Sequence, residues 1–233
     1  MSALPSAAMV FAAGFGTRMG PLTKDRPKPL IPVAGKPLLD HALDQVRGAG
    51  ISRAAVNAHY KADQIAAHLQ GTDIALSLEA PEILDTGGGL VQALGLLSPE
   101  PGAPVFAINS DSVWQGPNPL SALRNAWQPS LMDALLLVVP PSQAVGRTTP
   151  GDFHLDADGR LHRKGDFVYT GAQILKTSAI ANPPGRVFSL NWAWDQIADT
   201  GRLYGLVWPG QWCDVGHPGG LNLAEGMMTG HTR

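Results

Sequence analysis

The sequence predicts an α/β fold, a mostly parallel mixed sheet with helices on both faces and a small β subdomain attached. Three observations predict it. Short apolar runs alternate with amphipathic helical segments through most of the 233 residues. Hydrophobic residues make up 44% of the chain and charged ones only 15%, enough apolar surface to bury a sheet on both faces. Finally, Gly14 and Asp111 fall just past the ends of two apolar runs, where ligands bind in such sheets.

The elements follow in order. Residues 7–13 are apolar and read as a buried central strand that ends at the first glycine of a loop. Residues 38–49 place Leu39, Leu43 and Val46 on one side of a helix that stops at Gly48 and Gly50. A strand over 53–58, a helix over 61–70, a strand over 74–79 and a helix over 88–97 continue the alternation. A strand over 105–109, a helix over 120–127 and a strand over 134–139 complete the β-α-β-α order that requires parallel pairing. Residues 140–149 read as loop, and 152–164 as a hairpin turning at Asp158-Gly159. A strand over 167–176, a helix over 190–198 and a strand over 203–208 lead to Asp214. There is no internal repeat or low-complexity tract, so residues 1–233 are expected to form one domain of Rossmann-like type.

The loop after the first strand carries the strongest signal: Ala13-Gly14-Phe15-Gly16-Thr17-Arg18-Met19-Gly20-Pro21-Leu22-Thr23, then Arg26-Pro27-Lys28-Pro29. Glycines let backbone N–H groups approach phosphate oxygens, Arg18 offers a planar fork of donors, and Lys28 adds a compact charge behind prolines. These are the parts of a triphosphate cradle. The other reading is a plain glycine-rich turn. A dinucleotide fingerprint needs a glycine where Met19 stands, and a P-loop needs a Gly-Lys-[Ser/Thr] ending that is missing.

Composition narrows the function classes. A net charge of −2 with cations concentrated only around the cradle excludes a nucleic-acid binder and favours small anionic ligands. One cysteine, Cys213, excludes an internal disulfide and a multi-cysteine zinc site, and predicts a reducing cytoplasm. The start has no basic leader and no run approaches a membrane span, so a soluble protein is expected.

With the loop and Arg-Pro-Lys-Pro segment, Asn109-Ser110-Asp111, Tyr169-Thr170-Gly171 and Trp212-Cys213-Asp214-Val215-Gly216 give the chain a resemblance to the sugar-1-phosphate nucleotidyltransferases that spans nearly its whole length. Among members it looks most like the compact N-acetylmuramate α-1-phosphate uridylyltransferases of cell-wall recycling. The resemblance implies UTP and a sugar 1-phosphate as substrates, with about 7–139 as nucleotide-binding core and about 140–233 as sugar-binding part. The chain ends about where the catalytic domain of larger relatives ends, so no second acyltransferase activity is expected. Compact relatives imply a monomer. Alternatives are another base or hexose 1-phosphate, a glycosyltransferase, or a non-catalytic sensor. A glycosyltransferase usually carries Asp-x-Asp where this chain reads Asn109-Ser110-Asp111.

The chemistry sorts the residues. A sugar phosphate is already an anionic nucleophile, so the site must supply alignment and charge compensation rather than a base. Mg²⁺, or Mn²⁺, prefers one or two carboxylates with phosphate oxygens and water, which nominates Asp111 and Asp214 as ligands. Read alone, Asp111 also fits a strand-end cap and Asp214 a turn residue. The resemblance implies that Glu79 and the segment Thr86, Gly87 and Gly88 recognise the base, and that Asp152, Asp166, Thr170 and Gly171 hold the sugar. Thr86 is also a plain helix cap by type, and the two aspartates also fit a solvated hairpin. Asn109 could bind sugar, hold Asp111, or end a strand. The seven histidines lack metal spacing, and Cys213 beside Asp214 reads as a buried inert thiol. Trp192, Trp194, Trp208 and Trp212 could wall the sugar pocket, with core packing the default reading.

Overall fold

The computed structural model describes residues 4–97 and 100–230. In chain order the strands are β1 (Ala7–Phe11), β2 (Pro32–Val33), β3 (Lys36–Pro37), β4 (Arg53–Ala58), β5 (Ala75–Leu78), β6 (Pro104–Asn109), β7 (Ser112–Gln115) and β8 (Ala134–Val139). They continue as β9 (Ala144–Val145), β10 (Phe153–Leu155), β11 (Leu161–Arg163), β12 (Val168–Lys176), β13 (Leu203–Val207) and β14 (Gln211–Asp214). The helices are α1 (Leu38–Gly48), α2 (Ala62–Leu69), α3 (Asp85–Leu97), α4 (Pro119–Ala126), α5 (Leu190–Asp199) and α6 (Pro218–Thr229).

Seven strands form the central sheet in the order β13-β8-β12-β6-β1-β4-β5. All neighbours pair in parallel except β12, which runs antiparallel between β6 and β8. The chain leaves β1 for β4 on one side and returns to β6 on the other, which makes the carboxyl ends of β1 and β6 the switch point where a crevice opens. β8 reads Ala-Leu-Leu-Leu-Val-Val and is buried at every position, as a strand covered on both faces must be. One face packs Leu39, Leu43 and Val46 of α1, Ile65 of α2 and Leu120 of α4, and the other packs Leu90 and Leu97 of α3 with Trp194 and Ile197 of α5. The expected hairpin forms between β10 and β11.

The structure adds elements the sequence did not suggest. Residues 140–149, expected as loop, contain β9, which joins β14 and β7 in a separate three-stranded sheet. These strands are two to four residues long, too short to show a period. α6 carries Pro218, Gly219, Gly220 and Gly226, poor helix formers, and is held by its packing over Met19, Ile31, Val113 and Cys213. α3 likewise begins at Asp85 rather than at residue 88, through three glycines.

Candidate active site

The cradle and the two aspartates converge on one crevice. Phe11 ends β1, and its carbonyl oxygen accepts the Ser110 hydroxyl at 2.6 Å and the Ser110 amide at 3.2 Å, which places Asp111 beside the glycine loop. β14 then pairs with β7 in the register Asp214 opposite Ser112, and the Val215 amide donates to the Asp111 carbonyl at 2.9 Å. Residues 103 positions apart in sequence thereby become neighbours. Gly16 sits at φ +64°, and a Cβ there would lie 2.8 Å from the Cβ of Lys28, so glycine is what lets the Arg-Pro-Lys-Pro segment dock on the loop. At Gly216 a Cβ would stand 3.1 Å from Nη2 of Arg18 and 3.0 Å from Asp214, so the same economy of space keeps this cation close to the acids.

Electrostatics tie these groups together. Lys28 donates to Asp111 Oδ2 at 2.9 Å. Burial alone would raise the Asp111 carboxyl, but the charge and hydrogen bond of Lys28, with Arg18 behind it, hold it below the usual carboxylate range. Asp214 moves the other way: burial and then the Asp111 charge push it up, against the pull of Lys28, Arg18 and Arg147. A half-buried carboxylate raised by its neighbour has an unmet need for positive charge, so the residues fit a divalent cation. No cluster of three or more His, Cys, Asp or Glu side chains exists among the described residues, so two carboxylates would leave most of its coordination to phosphate and water.

The crevice has two adjoining halves. One, about 320 Å³, is lined by Ala13, Gly14, Gly16, Thr17, Arg18, Lys28, Glu79 and Thr86. The other, about 310 Å³, is lined by Arg147, Asp152, Tyr169, Gly171, Gln173, Trp194, Trp212 and Asp214. Arg18, Asp85, Thr86, Asn109 and Asp111 line both, so the charged groups stand at the border. Gly171 (φ +87°) occupies an irregularity in the β12 ladder, and any Cβ there would press on Asn109.

The model of the MobA-like NTP transferase domain matches residues 8–151. The chain belongs to that nucleotidyltransferase family. A relative from Caulobacter vibrioides named N-acetylmuramate alpha-1-phosphate uridylyltransferase is 40% identical over 98% of this chain and 99% of its own length. A probable mannose-1-phosphate guanylyltransferase 2 of Arabidopsis thaliana is 29% identical over 91% of this chain, which spans 62% of that protein. Among solved structures, HddC from Yersinia pseudotuberculosis complexed with GMP-PN shares the fold, with a TM-score of 0.77 at 23% identity over 96% of this chain and 99% of the other.

Set in this NTP transferase, several expected residues take different parts. Gly87 and Gly88 do not line the crevice; both amides donate to the Phe188 carbonyl, at 2.9 and 3.1 Å, and a Cβ on either would strike the 186–188 segment. Their smallness serves packing on that segment. Glu79 is 1% exposed and spends both oxygens inward, accepting Asn57 Nδ2 at 2.6 Å and the Leu84 amide at 2.7 Å, while Asn57 Oδ1 accepts the Ala12 amide at 2.7 Å. It braces the floor. The Thr86 hydroxyl accepts the Leu190 amide at 3.0 Å, and Phe15 turns its ring away onto His59, 5.4 Å between centroids. Thr170 lines the second half and donates its hydroxyl to the Leu137 carbonyl at 2.8 Å, so its oxygen is left to accept from a ligand rather than to donate. Asp166, between β11 and β12, is exposed and lines neither half, although the sugar side was expected for it.

The sequence missed Arg147, Gln173 and Asn57 as site residues, since no motif spacing marks them and only strand pairing delivers them, and it named Gly216 only within the motif around Asp214. Trp194 and Trp212, expected as core, also line the crevice, whereas Trp208 is fully buried against Trp114 at 5.0 Å. Cys213 is the inert thiol expected: buried, and pushed up to about 12 by burial and the Asp214 charge.

Proposed function

We propose that the protein condenses UTP with N-acetylmuramate α-1-phosphate to give a UDP-sugar and pyrophosphate, a step in cytoplasmic recycling of cell-wall sugars. The observation that carries this reading is the border itself: cations and carboxylates stand between two cavities of similar size, one beside a phosphate cradle and one beside a pocket walled by tryptophans. The likeness to the Caulobacter vibrioides relative over nearly the whole chain supports the choice of substrates.

A phosphate oxygen of the sugar phosphate attacks the α-phosphorus of UTP, forming a P–O bond as the bond to the β-phosphate breaks and the electron pair leaves with pyrophosphate. Arg18, at the border, faces both reacting phosphates, and Lys28 offsets charge growing on the leaving group. The glycine loop from Ala13 to Thr17 presents backbone N–H groups to the β- and γ-phosphates. Asp111 and Asp214 would hold Mg²⁺ or Mn²⁺, which when bound supplies further positive charge and aligns phosphate oxygens. Thr86 and the strap from Glu79 to Asp85 enclose the base, and Asn109, Asp152 and Gly171 enclose the sugar. In this reading Asn109 and Thr86, from the part before residue 139, also line the second half. The reading takes the protein to act as a monomer.

A pyrophosphate-release screen of four nucleoside triphosphates against a panel of sugar 1-phosphates, with the nucleotide sugar identified by mass, tests the reading. The expected best pair is UTP with N-acetylmuramate α-1-phosphate. A preference for GTP with mannose 1-phosphate would move the chain towards the guanylyltransferase relatives, and no pyrophosphate with any pair would overturn the reaction class.

A further inference from the structure

We propose that Arg147 reads a carboxylate carried by the sugar, and so selects an acidic sugar 1-phosphate over its neutral counterpart. The inference rests on the sugar-1-phosphate reading above and names the residue that sets its substrate class.

Arg147 reaches the sugar half by construction. It follows β9, whose Ala144 and Val145 pair with Trp212 and Cys213 of β14. Gly146, at φ +74°, packs so closely on the Asp214 carbonyl that no side chain fits, and its own carbonyl accepts His217 Nε2 at 3.0 Å. The backbone before Arg147 is thus fixed to the strand that carries Asp214.

The guanidinium is only partly spent. Nη2 donates to Asp152 Oδ1 at 2.7 Å, and Asp152 Oδ2 accepts the Tyr169 amide at 2.9 Å, so one corner is oriented by a carboxylate that is itself held. Nε is shut from water and has no acceptor among the described residues. A buried N–H without an acceptor is unfavourable, so the side chain gains by turning this donor to a ligand oxygen in the adjoining cleft. Gln173, 1% exposed, repeats the pattern. Its Oε1 accepts Trp194 Nε1 at 2.8 Å, and because an indole N–H only donates, this bond fixes the amide and leaves Nε2 as a second donor without a partner.

Apart from Arg18 at the border, the other cations of the cleft are committed. Arg163 donates from Nε to Asp195 at 2.7 Å and from Nη2 to the Asn191 carbonyl at 3.0 Å, with its guanidinium 5.0 Å from the Phe153 ring centre and 5.4 Å from that of Trp194. Lys28 is paired with Asp111, and Arg18 stands at the border. A neutral hexose needs no such donor. A sugar bearing a carboxylate does, because Asp85, Asp111, Asp152 and Asp214 all line the half it must enter and would repel it unless a cation faced its charge. The planar fork of arginine matches a carboxylate better than a point charge.

The test compares kcat/KM with UTP saturating for N-acetylmuramate α-1-phosphate and N-acetylglucosamine α-1-phosphate, which differ only in a lactate ether, in wild type, Arg147→Met and Arg147→Lys. Glucuronate 1-phosphate against glucose 1-phosphate serves as a second acid and neutral pair. Arg147→Met should lower the acid-to-neutral ratio by about tenfold to a hundredfold, mainly through KM, and Arg147→Lys should restore part of it. A merely structural role would lower both sugars of a pair alike and leave the ratio unchanged, which overturns the inference while the reaction stands. If Arg147→Met fails to fold by circular dichroism, the methyl ester of the muramate carboxylate replaces it: wild type should lose about the same factor on the ester, and equal turnover of acid and ester overturns the inference. Should only the glucuronate pair show an Arg147-dependent ratio, the muramate assignment falls and the role of Arg147 survives. If wild type turns over neither acidic sugar, both fail.

Discussion

Lys28 and Asp111 face each other at 2.9 Å, so each shapes what the other can do. Asp111→Asn keeps the shape of the side chain and loses its charge, which removes both the ion pair and a metal ligand. Turnover should fall at least roughly a hundredfold with the fold intact, as checked by steady-state kinetics beside circular dichroism; a variant above half the wild-type rate would rule the role out. Arg18 and Lys28 are expected to behave unlike a surface lysine. Arg18→Ala and Lys28→Ala should each cut kcat as well as triphosphate affinity, whereas Lys61→Ala, which loses only a contact 5.3 Å from the Tyr60 ring centre, should be near neutral. Comparable small losses at all three positions would break the link between the cradle and the leaving pyrophosphate.

At the level of elements, the start of α3 depends on the segment before α5. Gly87→Val would drive a branched side chain into the Phe188 ring and deprive α3 of its fit, so the variant should lose thermal stability and weaken UTP and sugar phosphate alike. A selective rise in the Michaelis constant for UTP would instead restore Gly87 to the base site. A second test concerns the edge of the sheet. Asp133, just before β8, bonds Lys176 at the end of β12 at 2.7 Å and Arg202 just before β13 at 2.8 Å, so three neighbouring strands share one carboxylate. Burial opposes its charge, but the hydrogen bonds from Arg202 and Lys176 prevail and its carboxyl titrates below the ordinary 3.8. A depressed carboxyl contributes stability above its unfolded value that disappears as pH falls through the folded one. Asp133→Asn should therefore cost on the order of 1 kcal/mol near pH 7, and the gap to wild type should narrow in melts as pH falls below 3.8.

The whole molecule is a scaffold for one border. β1 and β6 end side by side at the switch point, and the small sheet of β7, β14 and β9 folds over it to bring Asp214 and Arg147. Ligand binding should consequently stabilise the fold as a unit. With UTP and Mg²⁺ at about a hundred times their dissociation constant, linkage gives about 2.7 kcal/mol, or a Tm rise of about 5–10 °C for a chain of this size. The same addition should do little for Asp111→Asn, and an unchanged wild-type melt would argue that the crevice does not take the triphosphate.

The sequence by itself determined the alternation of strands and helices, the glycine loop after β1, and the two cations and two aspartates of the border. These were legible because each depends on local pattern: period, glycine at a strand end, or residue type within a few positions. Tertiary structure alone decided the rest. Gly87 and Gly88 of α3 looked like a base-contacting turn, and only Phe188 and Arg186, about a hundred residues later, show what their missing side chains admit. Glu79 offered a carboxylate that the fold turns inward to Asn57 and Leu84. Arg147 lies in a stretch with no period at all and gains meaning from a two-residue pairing with β14. The physical reason is common to all three: whether a polar group is free to meet a ligand depends on partners far away in the chain, and no local window contains them.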